Sequence, residues 1–255
     1  MSKAKNWLII VLNSLIVITI IVCLYFMGTR NTKFDTFDGV LKWKMFLFVN
    51  ADAPIVLGLG SITMIIYAIM FLIQNRPNLH FLRYAYVFKL VGTVWVTFVF
   101  LLIVLFLGPM VHYPSYLFTA EQAVLNVVLP ILATVIFIFL EYKKTEKTVI
   151  VYSAIPAMAY IVAMIAVVYS GLCQRAIGEE APYDVFNFKT NKPHVSVFAC
   201  VFLVAGTFGL GTGIYFANWA MFEKVYPRMA SRRYQKTLQK LAQENKKVNP
   251  QRMQK

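Results

Sequence analysis

The chain has 255 residues, of which 59% are hydrophobic and only 14% charged, and its formal net charge is +14. Soluble domains carry about 25% charged residues, so this balance excludes a soluble domain and makes lipid the surrounding medium. Three cysteines, Cys23, Cys173 and Cys200, fall in separate segments and form neither a disulfide framework nor a metal-ligand spacing.

The opening MSKAK leads directly into an apolar run, residues 7–27. That run is too long for a signal-peptide core and lacks a small-residue cleavage site, so it reads as a retained first helix. Further runs cover about 46–73, 84–108, 123–140, 149–171 and 195–221, each near the roughly 20 residues that one bilayer crossing needs. The expected fold is all-α: a polytopic bundle of six transmembrane helices within 1–222, followed by a basic tail over 223–255. Lys and Arg accumulate on cytoplasmic segments. With the N-terminus inside, seventeen of them fall on inner segments and seven on outer ones, so both termini are expected in the cytoplasm and the plasma membrane is the expected location.

Polar residues inside the runs carry the functional signal, because an ionisable side chain at membrane depth costs about 2.5–3.5 kcal/mol on insertion scales. The second helix enters through FVNADAP, bringing Asn50 and Asp52 to the outer surface. Asp52 either caps the helix that starts at Pro54 or serves as a functional carboxylate. Lys89 lies in the first turns of the third helix, and the following link holds His112, Tyr113, Tyr116 and Glu121. The fourth run holds Asn126 and Pro130, four apart on one face, and Pro130 frees a carbonyl that needs a partner within protein. Glu141, fifteen residues after Asn126, lies about 60° from that face and roughly 22 Å further along the axis.

Two groups follow from this placement. Asn50, Asp52, His112 and Asn126 converge near the outer surface, where they could bind a cation, polarise a carbonyl or activate a water. Asp52, Asn126 and His112 are therefore the catalytic candidates. Lys89 and Glu141 meet near the inner surface, as a functional pair, a structural ion pair or two side chains snorkelling to water.

In the sixth run Ala205, Gly209, Gly213 and Ala217 recur every four residues, which predicts a close helix-packing face. The GTFGLGTG within it is not a phosphate loop, since no strand precedes it. Beside a membrane, the basic tail is expected to lie on anionic lipid rather than bind nucleic acid. The expected partners of the chain are thus membrane lipid, with anionic lipid at the basic tail, and a homo-oligomer is left open. His80, His112 and His194 are isolated, so no metal site is expected, and no cofactor or hydrolase motif is present.

Three stretches, KMFLFVNADAPIVLGL, KLVGTVWVTFVFLLIVLFLGP and NVVLPILATVIFIFLE, resemble the bacterial six-helix membrane proteins distantly related to the animal androgen-induced and androgen-dependent TFPI-regulating proteins. The resemblance implies a six-helix fold and, from the animal members, intramembrane hydrolysis of fatty-acid esters of hydroxy fatty acids by a Thr nucleophile and a His. Here Val49 stands at the Thr position and Asn126 at the His position, so that pair is not retained. Three activities stay open: binding or turnover of a lipid or small amphiphile in an outward-facing polar pocket; small-solute or ion-coupled transport; and a scaffold with a lipid-binding tail. Whether the chain is an enzyme is left undecided by its residues.

Overall fold

The computed structural model describes residues 3–29, 49–74, 78–104, 120–141, 146–177, 180–181 and 186–231. Six helices are long and apolar enough to cross a membrane: α1 (Lys3–Thr29), α2 (Val49–Gln74), α3 (Leu79–Leu102), α4 (Ala120–Phe139), α5 (Lys147–Tyr169) and α6 (Pro193–Ser231). A short helix, Leu172–Ile177, lies between α5 and α6, and no strand occurs among the described residues.

The sequence pattern explains which face of each helix turns inward. In α1 the buried residues are Asn6, Ile9, Asn13, Ile16, Ile20 and Cys23, alternating by three and four as in a coiled-coil seam. The other faces of α1 show Trp7, Leu8, Val11, Leu15 and Ile18 to the surroundings, as a helix bathed in lipid should. The centre is α3, whose apolar window is 61% buried against 28% for α1 and for α6. It packs on α2, α4, α5 and α6. Trp95, Val94, Leu90 and Tyr86 fill the space between them.

Helix boundaries move from the sequence expectation for local reasons. The third run starts at Leu79 rather than at 84, because Asn78 caps it, its side-chain oxygen accepting from Phe81 N–H at 3.0 Å; such a cap satisfies one of the orphan N–H groups of the first turn. Within α4, residues Val124–Val128 form a π turn in which Leu129 N–H donates to Val124 O. Pro130 lies just beyond it, with no N–H to give and a ring that crowds the carbonyl four residues back, and a widened turn relieves that conflict. The last helix runs 39 residues to Ser231, about 58 Å at 1.5 Å per residue and nearly twice a hydrocarbon core of about 30 Å. It therefore continues across the boundary drawn at 223. The rest of the basic tail, from 232, lies outside the described residues.

Glycines set the closest approach, though only in part where the spacing predicts it. A Cβ on Gly60 of α2 would stand 2.7 Å from Phe88 O and 2.9 Å from Lys89 Cα. One on Gly92 of α3 would stand 2.6 Å from Leu57 Cα. The two helices thus touch backbone to backbone. The stripe on α6 does not: Ala205, Gly209 and Gly213 are exposed, and nothing lies within 4 Å of a Cβ at Gly209 or Gly213. The expectation that this face packs on a neighbour is corrected within the chain, where α6 meets its neighbours through Leu203, Thr207, Gly211, Ile214 and Asn218.

These contacts separate two classes of glycine. Gly92→Ala should destabilise the bundle by about 1–3 kcal/mol, the usual cost of overpacking, whereas Gly209→Ala should be neutral or stabilising in a helix interior. Thermal unfolding of the two variants in detergent would check both outcomes.

Candidate functional site

The strongest polar constellation lies at the end of the bundle where α1 begins, α4 ends and α6 leaves. Lys89, on α3, is completely buried. Its Nζ donates to Asn13 Oδ1 of α1 at 2.7 Å and to Ser61 Oγ of α2 at 2.7 Å. Ser61 in turn donates to Leu57 O at 2.9 Å. Asn13 Nδ2 donates to Glu141 Oε1 at 2.5 Å and to Ile9 O at 3.0 Å. Asn13 is therefore a carboxamide set between two buried charges, its oxygen toward the ammonium and its nitrogen toward the carboxylate.

Glu141 is also fully buried, just past the end of α4. This excludes the snorkelling reading for both charges and joins them through a third residue. Glu141 Oε2 is buried without a hydrogen-bond partner among the described residues.

The same region solves a backbone problem. The last carbonyls of any helix lack intrahelical donors, and those of α4 are buried beneath α6. Asn218 of α6 supplies the donors: its Nδ2 reaches Phe137 O at 2.7 Å, Glu141 O at 2.7 Å and Ile138 O at 3.3 Å. Tyr226 OH donates to Phe139 O at 2.9 Å. Tyr86 of α3 donates to Asn218 Oδ1 at 3.0 Å, which fixes the amide with its nitrogen toward α4. A single side chain thus caps α4 from another helix and holds the peptide that presents Glu141.

Of the second polar group, around Asp52 and Asn126, only part lies within the described residues. Asn126 is buried in the π turn of α4, and its Nδ2 donates to Gln122 Oε1 at 2.6 Å. Gln122 Nε2 lies 3.8 Å from the sulfur of Met27 on α1. Asp52 is half-buried on α2, which packs against this π turn. Because α2 is already helical at Val49, Asp52 stands inside the helix, and the alternative of an N-cap at Pro54 is corrected. Among the described residues no hydrogen bond joins Asp52 to Asn126. His112 and the side chain of Asn50 lie outside the described residues, and no group of three His, Cys, Asp or Glu is placed to hold a metal among those described.

Sequence reasoning singled out Lys89, Glu141, Asp52 and Asn126 but missed Asn13, Ser61, Asn218 and Gln122. A signal for Asn13 existed: it sits one heptad after Asn6 in the α1 seam, a position otherwise held by apolar residues. Comparison of the chain with protein-family profiles, curated proteins and solved structures finds no match. The residues and their geometry carry the interpretation.

Removing one partner of a buried pair leaves an uncompensated charge at a cost of about 3–5 kcal/mol, while replacing both by apolar or neutral groups is often tolerated. Lys89→Met and Glu141→Gln should each lower thermal stability markedly, and the double variant should recover much of the loss; a cycle measured by unfolding in detergent checks this. Equal additive losses would show that the two charges do not sense one another. Asn218→Leu, which strips the donors from the end of α4, should cost about 1–3 kcal/mol through the stranded carbonyls, read by the same unfolding measurement.

Proposed function

We propose that this multi-pass membrane protein binds or acts on a lipid or small amphiphile at the bundle end that holds Asp52, Gln122 and Asn126. On this reading it belongs with the six-helix proteins related to the androgen-induced class. The Lys and Arg balance supports a plasma-membrane topology with both termini cytoplasmic, which turns this end outward.

The observation that carries the reading is Asp52, an ionisable side chain inside a helix of membrane-spanning length, only half covered and hydrogen-bonded to no described residue. Such a group is expensive at membrane depth and marks a site by default. A carboxylate on a helix that packs against a buried carboxamide pair is suited to a headgroup that offers hydrogen-bond donors or positive charge. Hydrolysis by a Thr and His pair is not part of the proposal, since Val49 and Asn126 occupy those positions.

A second reading, an ion-coupled carrier, draws on the Lys89–Asn13–Glu141 network, because buried charges in other membrane proteins line ion and proton paths. The two readings separate in one background. Membranes from cells expressing the wild type, Asp52→Asn or Asn126→Ala are extracted and their lipids compared, fatty-acid esters included. A species that accumulates or disappears with the wild type, and reverts with Asp52→Asn, is the expected result. Identical profiles, with ion or solute uptake into vesicles that depends on Lys89 and Glu141, would favour the carrier instead.

A further inference from the structure

Alongside the end of α4, α6 carries two edge-to-face ring pairs, Phe216 with Trp219 at 6.4 Å and Phe222 with Tyr226 at 5.0 Å between centroids. Three lysines from three elements stand over these rings. Lys147, the first residue of α5, has its Nζ 5.8 Å from the Phe216 centroid. Lys224, on α6 itself, lies 4.9 Å from the Trp219 ring. Lys5 of α1 lies 4.5 Å from the Phe222 ring. Exposed Lys3 and Arg228 extend the positive patch, against Glu146 and Glu223 as its acidic members.

The rings explain why the lysines are held in place. An aromatic face attracts an ammonium through its quadrupole, and an ammonium carries three donors. Trp and Tyr are also the side chains that favour the headgroup level of a bilayer. Lys147 and Lys224 are exposed and Lys5 half-covered, so the cations are placed at the surface. Ordered positive charge backed by rings at headgroup depth is complementary to a lipid phosphate.

We infer that the surface on which Lys5, Lys147 and Lys224 are seated on Phe222, Phe216 and Trp219 binds the phosphate headgroups of anionic phospholipids. It is separate from the outer group around Asp52 and does not rest on the function proposed for that group. It also differs from diffuse attraction by the tail, because its cations come from α1, α5 and α6 and are positioned by rings.

The test uses the full chain in nanodiscs of phosphatidylcholine with or without phosphatidylglycerol, with bound phospholipid counted by native mass spectrometry. The wild type should retain phosphatidylglycerol in preference to phosphatidylcholine. The combination Lys5→Gln, Lys147→Gln and Lys224→Gln should lose that retention several-fold. Replacing the same three by Arg, which keeps the charge and stacks on rings, should restore it. Lys240→Gln, Lys246→Gln and Lys247→Gln together remove equal charge from the tail and should leave retention near wild type. Trp219→Leu with Phe222→Leu keeps every lysine and should weaken retention, which covers the case in which the Gln variant does not fold. The inference is overturned by equal retention of the two lipids by the wild type, by undiminished retention in the Gln variant or in the ring variant, or by an equal loss in the tail control.

Discussion

The buried ammonium of Lys89 constrains much of the bundle. Lipid tails are as apolar as the helix surfaces, so no hydrophobic force drives the helices together; close packing and hydrogen bonds must do it. Lys89 binds the two together. Its Cα lies against Gly60, where the absent Cβ lets the α3 backbone approach, and Ser61, the next residue on α2, accepts its Nζ. Asn13 then ties the same ammonium to α1 and to Glu141 beyond α4. Sliding any one of these elements by a turn would strand a charge or an amide in a dry interior, so the network fixes axial register as well as contact.

The two polar levels differ in how completely they are satisfied. Around Lys89 the polar atoms are paired across four elements, apart from one carboxylate oxygen. Around Asn126 the hydrogen bonding runs to Gln122, four residues back on the same helix, and from there to the sulfur of Met27 on α1, while Asp52 stands half-covered on α2. The first level has the character of a fastening. The second includes one carboxylate, Asp52, that no described residue meets.

Much of the architecture was legible in the composition, because a run of about twenty apolar residues has few places to go other than across a bilayer. Lys89 and Glu141 were legible for the same reason, charge being conspicuous where it is costly. What could not be read was the mediator. Asn13 looks like one tolerated amide in a long apolar run until the partner helices are in place, and Asn218 sits 77 residues from the carbonyl it serves. The small-residue stripe misled for a related reason: spacing reports that a face is smooth but not what lies opposite it, and the contacts of α6 fall on another face. Gly60 and Gly92 share no stripe, yet their facing positions on α2 and α3 make the tightest backbone approach.

The capping of α4 by Asn218 and Tyr226 also bears on assembly. Chains are made from the N-terminus, and α4 emerges well before α6. Until α6 inserts, the carbonyls of Phe137, Ile138, Phe139 and Glu141 lack the donors that Asn218 and Tyr226 bring, and water or headgroups at the membrane surface take their place. The end of α4, and with it the carboxylate of Glu141, can therefore enter its final environment only when the sixth helix arrives. The end of α4 is closed by a helix made well after it, and a ribosome stalled before Asn218 would hold a five-helix intermediate in which the Glu141 peptide still lacks its donor from α6.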